Sequence, residues 1–220
     1  TLELQGAAPM SLLRLRVVDG QPRLQGLRWA RPESGGIEVF AYPGATVAGW
    51  SRADTDYLGA WFEGQRYDLV VLAYGTNEAN DPRFNEAAYR DALVAALSRV
   101  RAAFPATPCL LIGPGDRGIR VPARPRRKPG KGSAQRTAPR PDLLRFARLH
   151  QRVNQIQHEL AAQMGCSAWS MQAAMGGPGS AYRWARARQP LMAGDLIHFT
   201  AAGYRELARR LAVDAGWGRR

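Results

Sequence analysis

"YDLVVLAYGTNEAND", residues 67–81, decides how this chain is read. From Leu69 its first half is a continuous apolar run closed by Gly75, the pattern of a strand buried on both faces of a parallel sheet. Its second half is polar and compact, as befits a loop leaving the carboxyl end of such a strand, where open parallel sheets gather their functional groups. Downstream, Tyr89, Leu93, Leu97 and Val100 share one helical stripe, and "PCLLIGPG" (108–115) reads as a second buried strand. Phe146, Leu149, Val153, Ile156 and Leu160 predict a long amphipathic helix, which leaves His150 and His158 off the apolar stripe and facing solvent. "CSAWSM" (166–171) supplies a short strand, and Tyr204, Leu207, Ala208 and Leu211 mark a closing helix with Thr200 as its N-cap. This alternation predicts a parallel sheet covered by helices over residues 67–215, a three-layer α/β sandwich.

Upstream the pattern changes. "LLRLRVV" (12–18), "RLQGLRW" (23–29) and "GIEVFAY" (36–42) are short runs separated by turn residues, and they predict an antiparallel β appendage over residues 1–36. Residues 37–220 form the α/β domain, entered through "YPGATVAGW" (42–50) and a helix near 51–63. No heptad or internal repeat interrupts it.

A chain of 220 residues with 45% apolar content can bury one substantial core. No stretch approaches the roughly 18 uninterrupted apolar residues of a membrane helix. "TLELQGAAPM" lacks the basic start and apolar run of a signal peptide, and because the chain begins with Thr the expectation is a processed product, an engineered piece or a fragment of a longer reading frame. The net charge is +13, but residues 117–140 hold nine Lys or Arg and no acid, and without them the remainder carries +4. That segment is also rich in Pro and Gly, so two readings stand: a mobile solvated loop, or a contact for an anionic polymer such as nucleic acid, acidic glycan or lipid headgroups. Cys109 and Cys166 fit no metal spacing and lie in short apolar runs, which predicts buried free thiols. Neither "GPGDRG" nor "PGKGS" satisfies the phosphate-loop pattern, so no phosphate-cradling site is read here.

Acyl transfer gives the remaining motifs a common purpose. A tetrahedral intermediate needs donors aimed at its oxyanion, and the Gly44 backbone N–H with the Asn77 amide can supply two. A serine nucleophile needs an imidazole base held by a carboxylate, and "DLIH" (195–198) places Asp195 and His198 within reach of each other in a turn. Glu78 is read as a residue that orders its loop or meets an arginine.

Together these residues resemble the SGNH/GDSL hydrolase family. "GTNEA" (75–79) is similar to the block carrying the oxyanion-hole Asn, "DLIHFTAAGY" (195–204) to the D-x-x-H block, and "YPGAT" (42–46) to the block carrying the oxyanion-hole Gly, 33 residues before Asn77. The resemblance covers about residues 37–214. "GTNEA", the β-rich upstream stretch and "MGGPGS" (175–180) look most like the peptidoglycan O-acetylesterase branch, in which a β domain interrupts the hydrolase fold. The resemblance implies a serine esterase without metal or organic cofactor, acting on an acylated carbohydrate in the periplasm or cell envelope. Gly176, Gly177 and Trp184 are then candidates for a substrate loop, with packing as the alternative for Trp184.

The departure from the family is the nucleophile. No Gly-Asp-Ser occurs, and of Ser11, Ser34, Ser51, Ser98, Ser133, Ser167, Ser170 and Ser180 none lies at a strand-to-helix turn upstream of the Gly44 block; Ser11, the nearest by order, precedes a strand. The expectation is that the first strand and its serine lie upstream of Thr1, so that this chain alone is inactive. The alternatives are a noncatalytic binder of anionic polymers and a hydrolase that has lost its serine.

Overall fold

The computed structural model describes residues 12, 14–21, 36–41, 43–62, 65–121 and 141–217. Two compact units divide after Pro43: Thr1–Pro43 and Gly44–Arg220. In the first, the described residues form neither strand nor helix, including 12, 14–18 and 36–41, where strands are expected. The remaining run of the expected appendage, 23–29, lies outside the described residues.

In the second unit the elements are α1 (Ala48–Ser51), α2 (Thr55–Phe62), β1 (Val70–Ala73), α3 (Thr76–Ala79), α4 (Glu86–Ala103), β2 (Cys109–Gly113), α5 (Arg145–Gln163), β3 (Ser167–Ser170), α6 (Met171–Met175), α7 (Ser180–Ala185) and α8 (Ala201–Asp214). The helix expected near 51–63 is α2, which starts at Thr55 after Asp54 Oδ1 accepts the Asp56 N–H, and the short α1 precedes it. Thr200 caps α8 as expected, its hydroxyl accepting the Gly203 N–H.

All three described strands are parallel, in the order β1-β2-β3, with Val70 opposite Cys109 and Leu110 opposite Ser167. Alternation along the strands sends neighbouring side chains to opposite faces. On β3, Ala168 packs against the core of α4 and α5 (Leu93, Leu97, Val153, Ile156), whereas Trp169 packs against the core of α6, α7 and α8 (Met175, Trp184, Leu207). Helices thus cover both faces and the expected three-layer sandwich stands. Among the described residues no helix is long and apolar enough to cross a membrane.

Three expectations need correction. β1 is not buried on both faces: Leu72 packs with Val100 and Phe104, but Val71 is 46% exposed and Ala73 is exposed as well. β1 is an edge of the described sheet, and an apolar run does not reveal which strand lies at an edge. The basic segment is loop at its start, but not a free one: Gly118 N–H donates to Leu196 O and Ile119 N–H to the Tyr182 hydroxyl, anchoring its first residues, while 122–140 lie outside the described residues.

Third, the cysteines are not free. The register Leu110–Ser167, continued one residue back, brings Cys109 beside Cys166, and they form a disulfide with Cα atoms 4.9 Å apart. A sequence separation of 57 hid this pairing. It staples β2 to β3 at their amino ends and, by loop-closure entropy, is worth up to about 4 kcal/mol. Urea unfolding with and without a phosphine reductant should therefore show a loss of about 2–4 kcal/mol on reduction; an unchanged midpoint would mean the bridge stabilises nothing.

Candidate active site

Two loops meet beyond β1. Gly44 has φ +74°, a left-handed conformation that favours glycine, in the turn before α1. Asn77, in α3, donates from Nδ2 to Ala45 O at 2.7 Å, so one amide N–H holds the Gly44 turn and the second is left for another acceptor. Glu78 joins the same loops: Oε1 accepts Val47 N–H at 2.7 Å and Oε2 accepts Gly75 N–H at 3.1 Å. One carboxylate thereby fixes both candidate oxyanion loops, which is the loop-ordering role read from the sequence.

The "DLIH" turn is built as a small cage. Asp195 Oδ1 accepts the backbone N–H groups of Ile197 and His198, and Oδ2 lies 2.7 Å from His198 Nδ1. The His198 ring first, then the two backbone donors, hold the Asp195 carboxyl down at about 2. Nδ1 therefore carries the proton facing a permanent anion, and Nε2, which has no hydrogen-bond partner among the described residues, is turned into the acceptor a general base needs. The ring is 73% exposed.

Gly115, on the exit from β2, connects the two halves. A Cβ there would lie 2.5 Å from Phe199 Cζ, so only glycine lets the turn after His198 seat on the carboxyl end of β2. Its carbonyl lies 2.6 Å from His150 Nδ1, and His150 Nε2 lies 3.2 Å from the Asn80 side chain at the end of α3. Arg117, whose guanidinium stacks 3.8 Å over Phe146, also donates to Asn80 at 2.5 Å.

His150 is thus a correction to the solvent-facing expectation: it is 1% exposed. Burial pushes its pKa down to about 4, against the opposing pull of Gly115 O and Asp116. Asp116, 2% exposed, accepts Gln172 Nε2 at 2.8 Å and Ala181 N–H at 2.9 Å, tying the β2 exit to α6 and α7. Sequence reading missed His150, Asn80 and Asp116. A signal for the first existed: Ala147, His150, Asn154, Gln157 and Ala161 form a second helical stripe of small and uncharged polar residues, all buried in α5. His158 is exposed, as expected.

The candidate substrate loop leads into the core, where Trp184 meets Phe199 edge-on. Gly176, at φ +105°, closes α6, and Gly177 N–H donates to Gln172 O. Trp184 is 6% exposed and its indole donates to Met175 O at 3.2 Å, so its ring is packed in the core and offers no open face to a sugar. Of the described serines, none hydrogen-bonds His198. Ser51 and Ser98 donate to helix carbonyls, Ser170 caps α6, and Ser180 is fully buried.

An open parallel α/β sandwich with a carboxylate-held imidazole and a Gly/Asn pair on loops at its strand ends is the architecture of a hydrolase. A GDSL-like lipase/acylhydrolase family model matches residues 19–206, and the chain belongs to that family. Among solved structures, it is similar to one described as a peptidoglycan O-acetylesterase in action, with 29% identity and a TM-score of 0.58 over 79% of this chain and 44% of that one. It shares the fold of a carbohydrate esterase family 3 protein from Talaromyces cellulolyticus, with 13% identity and a TM-score of 0.51 over 85% of this chain and 76% of that one. No curated protein matches it significantly. The chain spans less than half the length of the O-acetylesterase chain it resembles.

Two outcomes test this scaffold. Because folded His150 titrates near 4 and an unfolded histidine near about 6.5, the unfolded chain takes up a proton first as pH falls. Stability should be full above pH ~6.5, drop by on the order of 3 kcal/mol toward pH ~4 and level off below. Urea midpoints across this range, compared with a His150→Gln variant, should show that the pH-dependent part vanishes with the histidine. Glu78→Ala leaves two backbone N–H groups without their acceptor, so about 1–3 kcal/mol should be lost, with faster amide exchange at Val47 and Gly75 and no change at α8.

Proposed function

We propose that the protein acts as an SGNH-type serine esterase that removes acyl groups, in the first place O-acetyl, from a carbohydrate such as peptidoglycan. The observation carrying this reading is the Asp195–His198 pair at 2.7 Å with Nε2 open, on a turn seated at the carboxyl end of the sheet. The Gly44 and Asn77 loops, locked together by Glu78, support it as the oxyanion side. Family membership and the resemblance to a peptidoglycan O-acetylesterase support the reaction class and the substrate.

In this mechanism a serine hydroxyl attacks the ester carbonyl while His198 Nε2 takes its proton. Asp195, anionic throughout, stabilises the imidazolium and fixes the ring. The negative charge on the carbonyl oxygen is met by Gly44 N–H, the second N–H of Asn77 and the nucleophile's own N–H. His198 then protonates the departing sugar alkoxide, and in the second half-reaction it takes a proton from water as that water attacks the acyl-enzyme. In this reading the serine belongs to a G-D-S segment outside these 220 residues; the absence of that motif here, and of any hydrogen bond between a described serine and His198, supports this assignment. The Cys109–Cys166 disulfide supports a setting outside the reducing cytosol, such as the cell envelope.

The test compares three proteins on an activated acetate ester. The 220-residue chain should turn over no faster than its His198→Ala variant. A form extended upstream to include a G-D-S strand should be active, and Asp195→Asn in that form should lower kcat by about 10³–10⁴-fold. His198-dependent turnover by the short chain would place the nucleophile among its own serines, and an inactive extended form would remove the esterase reading.

A further inference from the structure

Beside the catalytic turn lies a cavity of about 330 Å³ that the mechanism above does not use. Its walls include Ile119, Leu143, Tyr182 and Leu196, with Arg120 and Arg186 among its lining residues. Three observations give it a ligand. First, it shares the catalytic turn: Gly194 and Leu196 line it and flank Asp195. Leu196 is the one non-glycine among the described residues with a left-handed φ, +63°, and it is held there by Gly118 N–H donating to its carbonyl at 3.0 Å. A leucine resists this conformation, and such residues cluster where a site demands them.

Second, the walls are settled before any ligand arrives. The Tyr182 hydroxyl accepts Ile119 N–H at 2.7 Å and lies 3.0 Å from Leu143 O, to which it donates. Tyrosine therefore contributes its ring, and the interior is apolar. Third, the two guanidinium groups are exposed and neither forms an ion pair among the described residues. The acids nearest in sequence are already engaged, Asp116 with Gln172 and the Ala181 N–H and Asp195 with His198, and Asp142 pairs with Arg148. Two unpaired cations beside an apolar pocket next to the reacting centre suit an anion carried on a compact apolar stem, and arginine's planar fork matches a carboxylate.

We propose that this cavity is a specificity subsite for a carboxylate-bearing substituent of the acylated sugar, with Arg120 and Arg186 as its anion-recognising residues. This inference rests on the carbohydrate esterase reading for the orientation of the sugar. A volume of this size, at the small end of ligand sites at roughly 300–1,000 Å³, holds one such substituent and not a second sugar chain. The ester itself would then lie on the His198 side of the same turn.

Binding to the 220-residue chain tests the subsite without requiring turnover. By NMR titration, N-acetylmuramic acid, which carries a carboxylate on a short ether stem, should bind at least about tenfold tighter than N-acetylglucosamine. In an Arg120→Ala/Arg186→Ala variant the two affinities should converge to within about twofold. Both arginines are exposed, and matched thermal midpoints would confirm that the variant folds. Equal binding of the two sugars, or a preference that survives the double substitution, overturns the proposal. Equally tight binding of N-acetylglucosamine 6-phosphate would show that charge alone is read and would overturn the carboxylate assignment. A retained carboxylate preference in an extended form without esterase activity would remove the esterase reading and leave the subsite. His198-dependent hydrolysis without the preference would do the reverse.

Discussion

Beyond Gly113 the central strand has lost its ladder, yet the backbone continues through the interior, and its polar groups must be paired there because no water reaches them. Pro114 O accepts Asn154 Nδ2 and Gln172 N–H, Gly115 O faces His150, and Asp116 N–H points at Met175 Sδ. The Asp116 carboxylate then collects Gln172 and the first turn of α7. Each partner comes from a different place on α5, α6 or α7, so satisfying three successive residues sets where these helices sit. Phe199 lies against Gly115, and the Asp195–His198 turn inherits its position from that arrangement.

The elements were legible in the sequence because periodicity reports burial directly. Tyr89 to Val100 and Val153 to Leu160 fell on the core face as their spacing implied. The Asp195–His198 pair was legible for a similar reason, since both partners lie within one turn of chain. What periodicity could not reveal was anything set by the order of strands. Val71 is exposed where β1 is an edge of the described strands, and Cys109 meets Cys166 because β2 and β3 are parallel neighbours in one register. His150 was misread because apolar patterning treats an uncharged polar side chain as a solvent-facing one, while here backbone carbonyls released by a strand end provide its partner. The Gly44–Asn77 relation, across 33 residues, was visible through family resemblance alone. Glu78, by contrast, could be suspected of ordering its loop, but not of which second loop it would hold.

The sheet's two ends are built by different means. At the amino end of β2 and β3 a covalent link and the packing of Cys109 hold the strands. At the carboxyl end the ties are hydrogen bonds from side chains, many reaching exposed loops, and such ties open locally at lower cost than a core strand does. The same division lets a site adapt to a substrate while the strands beneath it keep their register.

The Cys109–Cys166 bridge also changes what the connection between β2 and β3 is required to do. With their amino ends covalently joined, the two strands meet at a local concentration fixed by the bridge, not by the length of chain that runs between them. Closing an already closed loop is insensitive to added residues, and even an open one would charge only about 0.6 kcal/mol for each doubling. The basic stretch between residues 117 and 140 sits inside that connection. The fold can therefore tolerate its lengthening, shortening or recharging as an evolutionary variable, separate from the selection that maintains the sheet.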